Sequence, residues 1–405
     1  MDTRKLRILF VTYGLPYPPH GGSRVRDFNL IKHVSHHHSV LLLSLAEFPE
    51  EVNHLPRLEQ YCDLVDVVPT RGRSKLKHMP GVMRCLIAGR PLETYFFFYD
   101  ELASKIRETV ITWDVDIVQI EQSFLAPYVE ALPAASRSKK IVSFENLGFI
   151  QYRRMLNLKS GTERKLRFLL NWILMRHWEP KYAERFDRSV VVSSLERQVL
   201  QSANSNLRVS VVENGVDAES LQPLSEASEG SNLLFVGTMN YPPNEDAVLY
   251  FCNAILPLVQ REVPQAKLIV VGRNLTLEVR KLAAREDVFV TGHVPDVVPY
   301  YQQSRVSVVP LRAGGGTRLK VLESMALGRP VVSSSVGCEG LDVVDDRHIL
   351  IADDPELFAE KTVRLLTERT FYQRIVGEAR KLAVARYDWD AIAAQLLSVY
   401  SEVAQ

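Results

Sequence analysis

The chain has 405 residues, more than one hydrophobic core usually organises, so its size predicts two domains of similar extent. Its 46% hydrophobic and 24% charged content is that of an ordinary globular protein, and a formal net charge of +1 supplies no bulk attraction for nucleic acid. Cys62, Cys85, Cys252 and Cys338 are scattered without CxxC spacing, which predicts neither a zinc site nor a disulfide framework and suits a reducing cytoplasm.

Taken in chain order, Arg4-Lys5-Leu6-Arg7 before the apolar run 8–11 imitates a leader, but the run breaks at Tyr13-Gly14-Leu15-Pro16 and reads as a first buried strand. Further strands are predicted at 40–43, 64–68, 117–120, 140–142 and 189–192. The rhythm restarts at 232–236, 267–271, 288–290, 306–309, 331–333 and 349–351. Helical patterns fill the intervals, so the fold class is α/β, with parallel sheets built from βαβ units. The segment 204–230 is rich in Ser, Asn, Glu and Pro and is the expected hinge, giving domains at 1–206 and 207–388. Trp389, Ile392, Ala393, Leu396, Leu397 and Tyr400 recur at helical spacing, so 389–405 is expected to form a helix that packs back on the first domain. No stretch approaches the apolar length that spans a bilayer, and membrane contact is expected to be peripheral, on the inner face of the cell membrane.

In the first half, Gly21-Gly22-Ser23 opens a predicted helix with Ser23 as its N-cap, preceded by the loop Tyr17-Pro18-Pro19-His20. Two polar clusters, Glu121-Gln122-Ser123 and Phe144-Glu145-Asn146, close predicted strands, where open α/β sheets bind ligands. His36-His37-His38 cannot converge on one ion from adjacent helical positions and reads as a helix end. Asp114 and Asp116 precede a strand and read as surface, so no metal site is expected. Two stretches are locally basic. Residues 71–90 carry Arg71, Arg73, Lys75, Lys77, Arg84 and Arg90 without an acid, and residues 152–188 mix Arg153, Arg154, Lys159, Arg164, Lys165, Arg167 and Arg176 with Leu166, Phe168, Leu169, Leu170, Trp172, Ile173, Leu174 and Trp178. Two readings stay open for the second stretch: a face for anionic membrane, or a core helix over 168–178 with a solvated basic flank.

The densest local signal is in the second half, where a buried strand runs into Gly314-Gly315-Gly316, then Thr317 as expected N-cap, then a helix opened by Arg318, Leu319 and Lys320. Bare glycine backbone and a positive helix end admit an anion, and a diphosphate fits that turn. Glu323 lies about 9 Å along the helix from Thr317, deep enough to accept the hydroxyls of a ribose. The alternative reading has a loose glycine loop with Glu323 paired to Lys320 on a solvated face.

With Asn214-Gly215-Val216-Asp217, Phe235-Val236-Gly237 and Gly292-His293-Val294, this region resembles glycosyltransferase family 4, the retaining group with the GT-B fold, over nearly the whole chain. The resemblance implies two Rossmann-like domains facing across a cleft, with acceptor bound by the first and nucleotide sugar by the second. A Glu-x7-Glu motif of that family falls here: its second glutamate, which binds ribose, maps onto Glu323, and its first falls at Gly315. Many relatives carry an Arg and a Lys after the equivalent of Phe235-Val236-Gly237, where this chain reads Thr238-Met239-Asn240. Arg318 and Lys320 are expected to supply that charge instead, as in a branch linked to bacterial exopolysaccharide. The turn at Gly22 is expected to face the diphosphate, and Glu145 stands where relatives place the histidine of Glu-His-Asn.

The resemblance thus implies a retaining glycosyl transfer from a nucleoside diphosphate sugar to a carbohydrate or lipid-linked acceptor, without cofactor or metal. Expected donor contacts are Gly22, Gly237, Thr238, Gly315, Gly316, Thr317, Arg318, Leu319, Lys320 and Glu323. His20 and Glu121 are expected on the acceptor side, and Glu145, Asn146 and Lys320 in catalysis. The lost glutamate at Gly315 leaves an inactive carbohydrate-binding or scaffold protein as one alternative, and because fold alone does not fix chemistry an epimerase or phosphorylase of the same fold is another.

Overall fold

The computed structural model describes residues 4–70, 79–225 and 230–405. Arg71, Arg73, Lys75 and Lys77 lie outside the described residues, as does part of the expected hinge.

The strands are β1 (Arg7–Tyr13), β2 (Ser39–Ala46), β3 (Leu64–Pro69), β4 (Ile117–Glu121), β5 (Lys139–Phe144), β6 (Arg188–Val191), β7 (Val209–Val211), β8 (Asn232–Val236), β9 (Lys267–Val271), β10 (Val288–Gly292), β11 (Val306–Val309), β12 (Val331–Ser333) and β13 (Leu350–Ile351). They form a seven-stranded sheet, β3-β2-β1-β4-β5-β6-β7, and a six-stranded sheet, β10-β9-β8-β11-β12-β13. Every named pairing is parallel, which is why β1, β2 and β4 are almost wholly buried Val, Ile and Leu runs: helices cover both faces of such a sheet. The helices used below are α1 (Gly22–Ser35), α2 (Gly148–Met155), α3 (Thr162–Ala183), α4 (Pro242–Tyr250), α5 (Leu319–Ala326), α6 (Arg369–Tyr387) and α7 (Trp389–Ala404).

The chain divides into two compact units, the first comprising Met1–Arg153, Leu166–Asn214 and Trp389–Gln405, the second Arg154–Lys165 and Gly215–Asp388. The segment expected as a hinge contains β7, which pairs with β6 through Ser189↔Val209. The boundary therefore falls at Asn214/Gly215 rather than at 206/207, because three residues of that polar segment complete the first sheet.

Within the first unit, alternation sorts β1 between two cores. Leu9 and Val11 pack with Leu102, Ile106 and Trp178, whereas Ile8 and Phe10 pack with Leu30 and Ile31 of α1 and with Trp389, Ile392, Leu396 and Tyr400 of α7. Each such fully buried large apolar side chain contributes about 1.5–3 kcal/mol. Helix α3 buries Phe168, Asn171, Met175 and Trp178 and leaves Leu166, Leu169, Leu170 and Ile173 exposed. It is a core helix on one face and an apolar, basic surface on the other, and it extends beyond the expected 168–178 at both ends. The second unit has its main core around Phe235, Val248, Phe251, Val308, Val321, Leu322 and Met325.

Candidate functional site

In the second unit, β11 leads through Gly314 and Gly316, at φ of +129° and +69°, into α5. Those backbone angles favour glycine, and a Cβ on Gly314 would also come within 2.7 Å of Arg318 Nη2. Among the described residues the N–H groups of Gly314, Gly315 and Gly316 donate no hydrogen bond, as an anion-receiving turn requires. The N-cap is Arg318, not Thr317, which corrects the sequence reading. Arg318 is extended at φ −97° and ψ 95°, so the helix starts at Leu319 and no side chain caps it. The reason lies in the guanidinium, which folds back so that Nη1 donates to the carbonyls of Gly315 and Gly316. Arg154 fixes the same loop from outside: Nη1 donates to Gly314 O at 3.0 Å while Nη1 and Nη2 clasp the Glu339 carboxylate at 2.5 and 2.7 Å.

In the first turn of α5, Lys320 Nζ donates to Asn244 Oδ1 at 3.0 Å and sits 4.2 Å from the centroid of the Phe235 ring. Asn244 belongs to α4 and donates in turn to Thr238 O at 3.0 Å. A Cβ on Gly237 would lie 3.0 Å from Lys320 Nζ, so the bare backbone after β8 is what admits the lysine. The structure thus brings Gly237, Thr238, Lys320 and the glycine loop together in one unit. Burial, with Arg318 nearby, pulls the Lys320 ammonium down to about 7. Burial likewise raises the Glu323 carboxyl above the ordinary carboxylate range. Among the described residues no ion pair joins Lys320 to Glu323, since the ammonium is turned to Asn244. Glu323 is half-buried rather than on a solvated face. Beneath it, Ser324 Oγ lies 2.7 Å from Lys320 O and 2.8 Å from Ser307 Oγ, tying the first turn of α5 to β11.

In the first unit, Gly22 is the first residue of α1 and Gly21 its N-cap, with no side-chain cap. Ser23 is therefore not the cap expected of it. Its hydroxyl donates to Glu145 Oε2, and Gln122 Nε2 donates to Glu145 Oε1 at 3.0 Å. Glu145 is half-buried and its carboxyl is raised to about 6, mainly by burial. Asn146 follows it, half-buried. Glu121 is 0% exposed, and Gln119 Nε2 donates to its Oε1 at 2.5 Å. Glu121, expected on the acceptor side, is the last residue of β4 and wholly buried. His20 is exposed, with its N–H donating to Pro18 O at 2.7 Å. His36 is the C-cap of α1, and Asp114, paired with Arg7 Nη2 at 2.7 Å, is exposed at the opposite end of β4 from Glu121.

Residues 230–368 match the family described as Glycosyl transferases group 1. The chain carries a group 1 glycosyltransferase domain. The glycine loop, Asn244, Lys320 and Glu323 all lie inside that match. Over 402 residues the chain is 21% identical to an uncharacterised 44.6 kDa protein in the cps region of Klebsiella pneumoniae, covering 94% of this chain and 96% of that one. It is 28% identical to a phosphatidyl-myo-inositol mannosyltransferase of Mycobacterium leprae over 241 residues, 57% of this chain and 62% of that relative's length. Among solved structures it resembles sucrose-phosphate synthase from Thermosynechococcus elongatus, with a TM-score of 0.74, 16% identity and coverage of 98% and 99%. It also resembles Anabaena HepE in complex with UDP and glucose, with a TM-score of 0.64, 15% identity and coverage of 98% and 100%. The two parallel sheets have the GT-B fold of those glycosyltransferases.

Reading the sequence for this group 1 domain missed Asn244, whose only signal was a helix start at Pro242-Pro243. It also missed the Arg154–Glu339 clasp, which no local pattern announces.

Proposed function

We propose that the protein is a retaining glycosyltransferase of family 4 that moves a sugar from a nucleoside diphosphate donor to an acceptor hydroxyl in bacterial polysaccharide or glycolipid assembly. The observation that carries this reading is the arrangement of Lys320 against Gly237 and Asn244 at the start of α5, next to three glycines whose N–H groups are unspent. A diphosphate at that turn receives backbone N–H groups, the helix dipole and the Lys320 ammonium, and side chains rather than a metal neutralise its charge. Charge that builds on the departing diphosphate is stabilised by the same groups, which lowers the barrier to leaving. The Glu323 carboxyl, held next to α5 with no ion pair of its own among the described residues, accepts the ribose hydroxyls. No side chain is assigned as nucleophile, so the acceptor proton passes to the leaving phosphate on the face that it vacates.

The names of the relatives support this reading: a mannosyltransferase, a protein from a cps region and a neighbour holding UDP with glucose. Glu145 and Asn146 are proposed as catalytic residues, and the turn at Gly22 as a donor contact. The acceptor is proposed to be lipid-linked and the protein to dock on the inner face of the cell membrane. Exposed Leu166, Leu169, Leu170 and Ile173 on α3 alternate there with Arg167 and Arg176, a mixture suited to anionic lipid. No helix of the described residues is long and apolar enough to cross a membrane.

The test offers the purified protein a panel of uridine and guanosine diphosphate sugars and follows nucleotide release with and without candidate acceptors. Slow donor hydrolysis, accelerated by an acceptor, is expected. Nucleotide binding with no release under any pairing would instead support an inactive binding protein. Flotation with anionic vesicles at low salt tests the docking surface, and absence of binding removes it.

A further inference from the structure

Three carboxylates of the first unit converge under α1. Asp27 comes from the second turn of that helix, Glu121 from the end of β4, and Glu145 from just beyond β5. One oxygen from each lies within 4.8 Å of the other two. Asp27 is 1% exposed and Glu121 0%. Among the described residues neither oxygen of Asp27 and not Oε2 of Glu121 has a hydrogen-bond partner. The neighbouring arginines spend their terminal nitrogens elsewhere: Arg26 Nη1 and Nη2 donate to Val212 O, Glu213 O and Asn214 Oδ1, and Arg24 pairs with Glu51. Ser143, register partner of Glu121, is also buried with a hydroxyl that has no partner.

Buried carboxylates this close cannot all stay ionised unless a positive charge joins them. An all-oxygen set without thiolate or imidazole suits a hard cation rather than zinc or copper. Three oxygens on one such ion at about 2.1 Å stand at most about 3.6 Å from one another, so binding would draw the three carboxylates together by up to about 1 Å. We propose that Asp27, Glu121 and Glu145 bind one divalent hard cation, Mg2+ or Mn2+, which ties the first turns of α1 to the ends of β4 and β5. Half-buried Glu145 is the side from which it enters. The site shares Glu145 with the proposed transfer machinery, so it is read by metal binding rather than by activity, and no step of the transfer is assigned to the cation.

The experiment strips the full chain with chelator and titrates it with Mn2+ at pH 7.5, reading free Mn2+ by EPR and stability by thermal melting. One Mn2+ per chain, displaced by Mg2+ and raising Tm, is expected. Asp27→Asn and Glu145→Gln should each weaken that binding at least about tenfold, as loss of one charged ligand implies. Asp114→Asn, on the exposed surface, should leave it unchanged. Absence of stoichiometric binding up to millimolar Mn2+, or binding that both variants retain, would overturn the proposal in favour of acids that share protons. If Asp27→Asn does not fold, Glu145→Gln decides alone, since its half-buried side chain keeps hydrogen-bonding atoms.

Discussion

Lys320 and Asn244 meet at 3.0 Å, ammonium to amide oxygen, across the start of two helices whose sequences lie far apart. The contact holds a lysine in surroundings that disfavour its charge, which an arriving diphosphate would restore. Replacing Lys320 by Ala should weaken UDP or GDP binding by about tenfold to a hundredfold, the worth of one charge-assisted hydrogen bond. Asn244→Ala should weaken it less, because the ammonium survives and loses only its tether. Titration calorimetry separates the two, and unchanged affinity in Lys320→Ala would remove the lysine from the donor site.

The lowered value of Lys320 also sets a pH dependence. With the free amine at about 7 and a bound diphosphate raising it, binding takes up a proton above pH 7. Affinity should therefore fall by up to about tenfold per pH unit above 7, and be flat from this group below it. Lys320→Met should lose the slope. Proton uptake measured in buffers of different ionisation enthalpy checks the sign directly.

The clasp of Arg154 on Glu339 and Gly314 O predicts coupling between residues distant in sequence. Arg154→Ala and Glu339→Ala should each raise the donor KM several-fold, and the double variant should be little worse than either single one. A double variant whose effects simply add would show that the two act separately.

Two glycines should answer differently to alanine. Gly314→Ala demands a left-handed φ and displaces Arg318, so it should cost about 1–2 kcal/mol and reduce nucleotide binding. Gly377, inside α6 with nothing within 4 Å of an added Cβ, should become more stable by about 0.5–1 kcal/mol and bind nucleotide as before. Chemical denaturation alongside calorimetry reads both.

Most of the fold was legible because parallel strands buried on both faces announce themselves as short Val, Ile and Leu runs, and twelve of the thirteen strands stand where those runs are. β7 escaped because Val209-Ser210-Val211 is three residues long and sits in a polar stretch, and it moved the domain boundary with it. The glycine loop and Lys320 were readable since bare backbone before a helix is a local pattern. Caps were not: Thr317 stands one residue before the N-cap Arg318 and Ser23 two residues after the N-cap Gly21, with the Arg318 guanidinium turned to Gly315 and Gly316 and the Ser23 hydroxyl to Glu145. The acid cluster of Asp27, Glu121 and Glu145 was invisible as a group, because only the order β1-β4-β5 in the sheet brings those positions together.

The most direct single measurement compares UDP and GDP with their 2′-deoxy counterparts by calorimetry, in the natural protein and in Glu323→Gln. If α5 cradles the diphosphate while Glu323 holds the ribose, one ribonucleotide should bind about tenfold or more tighter than its deoxy form, and that gap should vanish in the variant. Failure of either nucleotide to bind at millimolar concentration, or a gap that Glu323→Gln leaves intact, would contradict it.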